Sequence, residues 1–149
     1  MEFNVQVRNS QFEKSLLNKI ARVANRLEQE VETELKVSFA LTFSQFKVLE
    51  ALTRQGEASQ RELATMVGVT PAVVTRQAEA LSARGLLVQR PNPRSRRENL
   101  LAMTAKGERA VQDALKSIQD VQHRLFEQLD LKDETALGRS LDQLIKQLS

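Results

Sequence analysis

The sequence predicts a mainly helical protein carrying one small β-hairpin. Apolar residues recur every three or four positions near both ends of the chain, the spacing of one helix face. Helix-start signals open two short helices in the middle, and a proline- and arginine-rich stretch then separates two short apolar runs. Three prolines and five glycines in 149 residues, with no tryptophan or tyrosine, leave a composition that favours helix.

Phe12, Leu16, Ile20, Val23, Leu27, Val31 and Leu35 form one stripe on a helix over about residues 10–36. Thr42 and Gln45 then make a capping box before Phe46, Val48, Leu49 and Leu52, and Gly56 closes that helix. Ser59 with Glu62 is a second capping box, and Thr70 followed by Pro71 is a third helix start, because proline lacks the amide that would go unpaired there. Val67-Gly68-Val69 between them is too short for a strand, and Gly68 is where the chain turns at a backbone angle that disfavours a β-carbon. Leu63, Ala64, Val69, Val74, Ala78 and Leu81 take the inward positions. This is helix-turn-helix geometry.

Gly85 ends the second of these helices, and Leu86-Leu87-Val88 begins a strand. Gln89 to Arg97, with Pro91 and Pro93, reads as turn or loop, and Asn99 to Met103 as the returning strand. A helix-turn-helix followed by such a hairpin is a winged helix-turn-helix, spanning about residues 40–103. Thr104 caps a long helix to about Leu129, bearing Val111, Leu115, Ile118, Val121, Leu125 and Leu129. Leu131-Lys132-Asp133 breaks it, and a last helix carries Leu137, Leu141, Leu144, Ile145 and Leu148. A lone monomer would expose much of this leucine. Pairing of residues 10–36 and 104–149 in a two-fold homodimer covers it, with Phe12, Leu16, Leu125, Leu129, Leu141, Leu144, Ile145 and Leu148 at the contact. The alternative is that these helices fold back on their own subunit.

The charge is unevenly placed. Eight arginines against three acids give Arg54 to Arg97 a net +5, while the rest of the chain carries −2. Guanidinium forks suit phosphates and base edges. The chain has no cysteine and one histidine, His123, and lacks a glycine-rich phosphate loop or an HExxH constellation. No enzyme activity, metal or cofactor is expected. No apolar run reaches the roughly 18 residues that span a bilayer, and MEFNVQVRNSQFEKS has no hydrophobic signal core. A cytoplasmic, nucleoid-associated location without membrane contact is expected.

Double-stranded DNA is the expected partner. On the helix from Thr70 to Ala83, the residues towards or beside DNA are Thr70, Ala72, Val73, Thr75, Arg76 and Gln77. Arg76 suits a bidentate guanine contact and Gln77 an adenine, while Ala72, Val73 or a threonine methyl can meet a thymine methyl. The alternative is that Gln77 lies half buried and Arg76 touches only phosphate. Ser59 and Gln60 sit at a helix N-terminus, where free amides favour a phosphate, and Arg61 is expected on the DNA backbone. Arg94 and Arg96 are expected in the minor groove. Arg97, nearer the strand, is read either as a groove contact or as a structural residue. A competing class is a winged helix that binds a protein or serves an architectural role without regulated release.

The chain resembles the MarR (multiple antibiotic resistance regulator) family of winged-helix transcription factors. The likeness runs through Leu41-Thr42, Gln45, Val48-Leu49, Leu63-Ala64, Val74-Thr75-Arg76, Leu81, Arg84-Gly85-Leu86, Arg90, Arg96-Arg97, Met103-Thr104 and Gly107. Order and spacing carry it, not any single piece. It implies a dimer joined by its terminal helices, with recognition helices in the major groove and wings in the minor groove. It also implies a repressor released by a small aromatic or phenolic effector between the dimer helices and the winged helix. Phe39, Phe43 and Phe46 cluster near that junction, with packed core as their other reading. Two departures stand out. The family's wing run of Asp-Pro-x-Asp-Arg-Arg type is here Asn92-Pro93-Arg94-Ser95-Arg96-Arg97, with both acids gone. Gln77 stands where leucine is usual and Ala80 where a basic residue is common, so no known operator sequence carries over.

Overall fold

The computed structural model describes residues 14–127 and 130–148. Ser15 caps α1 (Leu16–Phe39), its hydroxyl accepting from the Asn18 amide at 3.2 Å. The helix runs past its expected end near residue 36 and stops on Ala40, which is left-handed at φ 50°. Helix α2 (Phe43–Gln55) opens on the expected Thr42–Gln45 capping box. The Glu32 carboxylate of α1 also accepts from the Phe43 amide, tying the start of α2 to α1.

The helix-turn-helix consists of α3 (Gln60–Val67) and α4 (Pro71–Ala83). Gly68 caps α3 at φ 73°, and the amides of Gly68 and Val69 both donate to the Ala64 carbonyl at 3.0 Å. A β-carbon is costly at that angle. The inward positions fall as periodicity requires: Leu63, Ala64, Val74, Ala78 and Leu81 are buried, and Val69 packs partly buried against the core.

The β-structure differs from the expected hairpin in two ways. Residues Glu57–Ser59 form β1, which was not foreseen. It pairs antiparallel with β3 (Ser95–Met103), and β3 pairs with β2 (Leu87–Asn92), giving a sheet of order β1-β3-β2. Three residues are too few to show alternation, and β1 is held from outside itself, by pairing of Ala58 with Leu101 and burial of both. The strands also extend into the proline-rich stretch expected to be loop. Pro91 pairs with Asn99, which an edge strand such as β2 tolerates because one side of its backbone needs no partner. The irregularity falls after it, where Asn92 pairs with Ser95, and the Asn92 side chain accepts from the Arg94 amide at 2.9 Å.

Thr104 caps α5 (Ala105–Phe126) as predicted, accepting from the Gly107 amide at 3.0 Å. The expected break at Leu131-Lys132-Asp133 instead lies earlier, since α6 spans Leu131–Leu148. Asp133 and Glu134 sit in its first turn, where acids complement the helix dipole, and the Glu134 amide donates to the Asp130 carbonyl at 3.0 Å.

Leu35, Leu41, Leu49, Leu52, Leu63, Leu81, Leu87, Leu101 and Val111 are fully buried and join α1, α2, the helix-turn-helix, the sheet and α5 into one core. Burying each leucine side chain contributes roughly 1.5–3 kcal/mol. Among the described residues of the α1 stripe, only Val31 and Leu35 are buried, while Leu16, Ile20 and Val23 face solvent. On α6, Leu137, Leu141, Leu144, Ile145 and Leu148 are all exposed. Leu125 is exposed too, and Phe12 and Leu129, expected at a dimer contact, lie outside the described residues. Among the described residues no helix is long and apolar enough to cross a membrane.

Candidate nucleic-acid interface

The second helix of the helix-turn-helix is placed by its own ends. The Thr70 hydroxyl accepts from the Val73 amide at 3.4 Å, and Pro71 occupies the first helical position. Because Val74, Ala78 and Leu81 take the inner face, the opposite face is left to Thr70, Ala72 and Arg76, which are exposed. Val73, Thr75 and Gln77 lie on the flanks and are half-buried.

Two of these flanking side chains are already engaged. Gln77 Nε2 donates to Ser44 Oγ on α2 at 3.4 Å. The Thr75 hydroxyl lies 2.9 Å from Gln60 Oε1 on α3 and 3.0 Å from the Pro71 carbonyl, and its single proton serves one of them at a time. Arg76 is the basic side chain on this helix that projects into solvent without a hydrogen bond or ion pair among the described residues, and the acidic Glu79 one turn on does so too.

Ser59 is buried, at 4% exposure. Its hydroxyl accepts from the Glu62 amide at 3.2 Å, and its amide donates to the Glu62 carboxylate at 2.8 Å. Amides counted as open to a phosphate are thus partly occupied from within. The Ser59 amide and hydroxyl hold Glu62 below the usual carboxylate range against the opposing effect of burial, with the Arg94 charge adding to them. Gln60 is half-buried beside Thr75, and Arg61 is exposed, 3.7 Å from Glu98 of β3. An exposed pair at that distance contributes little and is readily exchanged.

The arginines divide into two sets. Arg54 pairs with Glu50 at 3.1 Å and Arg90 with Glu57 at 3.0 Å, while Arg84 donates to backbone carbonyls. The exposed guanidinium groups of Arg76, Arg94 and Arg97 have no hydrogen-bond or ion-pair partner among the described residues. Arg94 occupies the turn between β2 and β3, and Arg97 lies on β3, where its amide donates to Ser95 Oγ at 3.4 Å. Arg96 is also on β3, but its side chain lies outside what is described. What remains is a set of uncompensated positive charges on α4 and on the wing, suited to a polyanion.

Phe46 is a core residue, 6% exposed, and Phe39 and Phe43 pack partly buried against the same core. Phe43 and Phe46 stack with ring centroids 6.3 Å apart, and Lys47 Nζ lies 5.0 Å from the Phe43 centroid. A cleft of about 390 Å³ lies between α2, the sheet and α5, with Leu52, Ala102 and Val111 in its wall and Glu57 and Arg90 beside them. Another, of about 720 Å³, is lined by Val23 and Leu27 of α1 with Leu125 and Phe126 of α5. None of the three phenylalanines lines either cleft.

Sequence reasoning missed Ser44, Glu98 and Arg84 as partners in this region. Ser44 lies 33 residues before Gln77, and no periodicity links residues so far apart. Only the packing of α2 across the helix-turn-helix brings them together.

Residues 41–98 match the MarR family. No curated protein matches the chain. Among solved structures, a mutant MarR from E. coli superposes with a TM-score of 0.81 at 23% identity, covering 88% of this chain and 96% of that one. The transcriptional repressor CouR, bound to a 23-mer DNA duplex, gives 0.80 at 27% identity, over 93% and 97% of the two chains. BpsR of Bordetella bronchiseptica, whose DNA binding is regulated by 6-hydroxynicotinic acid, gives 0.75 at 26% identity, over 89% and 94%. The described helices and three-stranded antiparallel sheet share the fold of these structures, and the segment from residue 41 to 98 carries the match to the MarR family.

Proposed function

We propose that this protein represses transcription as a homodimer that binds a pseudo-palindromic DNA operator in a sequence-specific manner. The observation that carries the reading is the exposed, unpartnered Arg76 on the second helix of the helix-turn-helix, with Arg94 and Arg97 likewise unpartnered on the wing. Arg76 is assigned to a base edge in the major groove, and Arg94 and Arg96 to the adjacent minor groove. Thr70, Ala72 and Val73 supply backbone and methyl contacts, Gln60 and Arg61 approach phosphate, and Gln77 acts from the flank. Arg97 joins the groove contacts. Buried Ser59 supports α3 from within.

The exposed leucines of α6 and the first half of α1 support dimerisation, which would set the recognition helices roughly one DNA turn (~34–36 Å) apart. CouR bound to a DNA duplex supports the partner, and regulation of BpsR by a hydroxynicotinic acid supports release by a small aromatic effector. The test is selection of bound duplexes from random DNA, repeated with a panel of phenolic and aromatic acids. A two-fold related consensus, lost on addition of one compound, is expected. Retention of random and selected duplex with equal affinity would overturn sequence-specific recognition, and retention of none at low salt would overturn DNA binding altogether.

A further inference from the structure

Arg84 ends the recognition helix, yet its side chain serves another element. Nη1 donates to the Ala40 carbonyl at 2.6 Å and Nη2 to the Phe39 carbonyl at 2.8 Å. These are among the last carbonyls of α1, which have no partner inside their own helix and form the negative end of its dipole. Ala40 is itself strained, a residue with a β-carbon at φ 50°. The two-pronged guanidinium thus grips a left-handed corner that closes α1.

The backbone following Arg84 is gripped from a third side. Lys106 Nζ donates to the Arg84 carbonyl at 2.8 Å, and the Thr104 hydroxyl donates to the Gly85 carbonyl at 2.7 Å. Arg84 and Gly85 therefore join the end of α4 to the end of α1 and the start of α5. Between α1 and α4 there is no extensive packing among the described residues, so the Arg84 fork is a direct link between them.

We infer that Arg84 is a positioning residue that holds the recognition helix at a set angle to α1, and so sets the separation of the two readers in the dimer. The inference rests on the dimeric DNA-binding reading above. It follows from geometry: α1 carries exposed Leu16, Ile20 and Val23 toward a partner, while α4 carries Arg76 toward DNA. A tilt at their junction is magnified at the far ends of both. Arginine makes both bonds in one plane, whereas lysine can make only a single-point contact.

The chain has no cysteine, so a spin label at Glu79→Cys, on the exposed side of α4, reports one distance across the dimer. Double electron–electron resonance on this parent should give a narrow distribution. Arg84→Gln should widen it markedly and Arg84→Lys to an intermediate degree, with helix content and dimer mass unchanged. On duplexes whose half-site spacing changes one base pair at a time, the parent's preference for its best spacing, about tenfold, should shrink to about threefold or less in Arg84→Gln. An unchanged distribution, or a uniform loss of affinity at every spacing, would overturn the inference and leave a purely structural cap. A parent with no inter-label distance would overturn the dimer reading, and this inference with it. If Arg84→Gln does not fold, Arg84→Lys carries the same two measurements.

Discussion

The carbonyl of Leu86 lies so close to Gly107 that a β-carbon there would overlap it, and would also stand 2.7 Å from Met103 Cγ. This contact seats the first turn of α5 on the start of the sheet, where Thr104 also bonds the Leu86 carbonyl through its amide. The obstacle is backbone, which cannot rotate away as a side chain can. Gly107→Ala should destabilise the protein by ~2–4 kcal/mol, read as a shift in urea midpoint. A change under about 0.5 kcal/mol would show that α5 adjusts freely.

Acid should weaken the fold in a way that Glu62 and Glu34 share. Ser59 holds Glu62 low through its amide and hydroxyl, and the Ser117 and Ser38 hydroxyls do the same for Glu34. For a carboxylate lowered in the folded state, the stabilisation is complete above its unfolded value of about 4.3 and is lost as pH falls through the folded value. Urea midpoints should be level near neutrality and fall below about pH 4.5. Glu62→Gln keeps the capping oxygen without the charge, so it should cost under about 1 kcal/mol at neutral pH and make the acid decline shallower.

Arg76 and Gln77 are neighbours on α4 with different freedom, since Gln77 is held to Ser44 and Arg76 is not. Arg76→Ala should cost about 1–3 kcal/mol on the selected duplex and relax preference at one base position. Gln77→Ala should cost less on DNA. Competition binding against single-base variants of the duplex distinguishes the two. Equal losses on selected and random duplex for Arg76→Ala would place that side chain on phosphate.

The wing should act through charge. Arg94 sits at the turn with no acid paired to it, although its field reaches Glu62. Arg94→Ala should reduce the slope of log affinity against log salt by about 0.9 for one phosphate contact and leave base preference intact. An unaltered slope in titrations across a range of salt would remove Arg94 from the interface.

The apolar face of α6 gives the most direct test of association. Leu141 is 37% exposed and Leu148 87%, so in a monomer Leu141→Asp with Leu148→Asp would change stability by less than about 0.5 kcal/mol per site. If the face pairs with a second copy, the double variant should sediment as a monomer at concentrations where the parent is a dimer, and lose affinity for the two-fold duplex.

Local chemistry made much of this protein legible in its sequence. Capping boxes at Thr42 and Ser59, Thr70-Pro71, Gly68 and the Thr104 cap act within four residues of themselves, so their helix boundaries hold in the structure. The inward set Leu63, Ala64, Val74, Ala78 and Leu81 follows from one period. Tertiary structure alone decided the rest. Strand β1 exists because β3 pairs with it, Pro91 is carried in an edge strand, and Ser59 is buried under its own cap. Gln77 finds Ser44, and Arg84 finds Phe39 and Ala40, across more than thirty residues of chain. Periodicity and caps report forces between near neighbours; which arginines keep a free charge depends on partners that only the packed fold brings within reach.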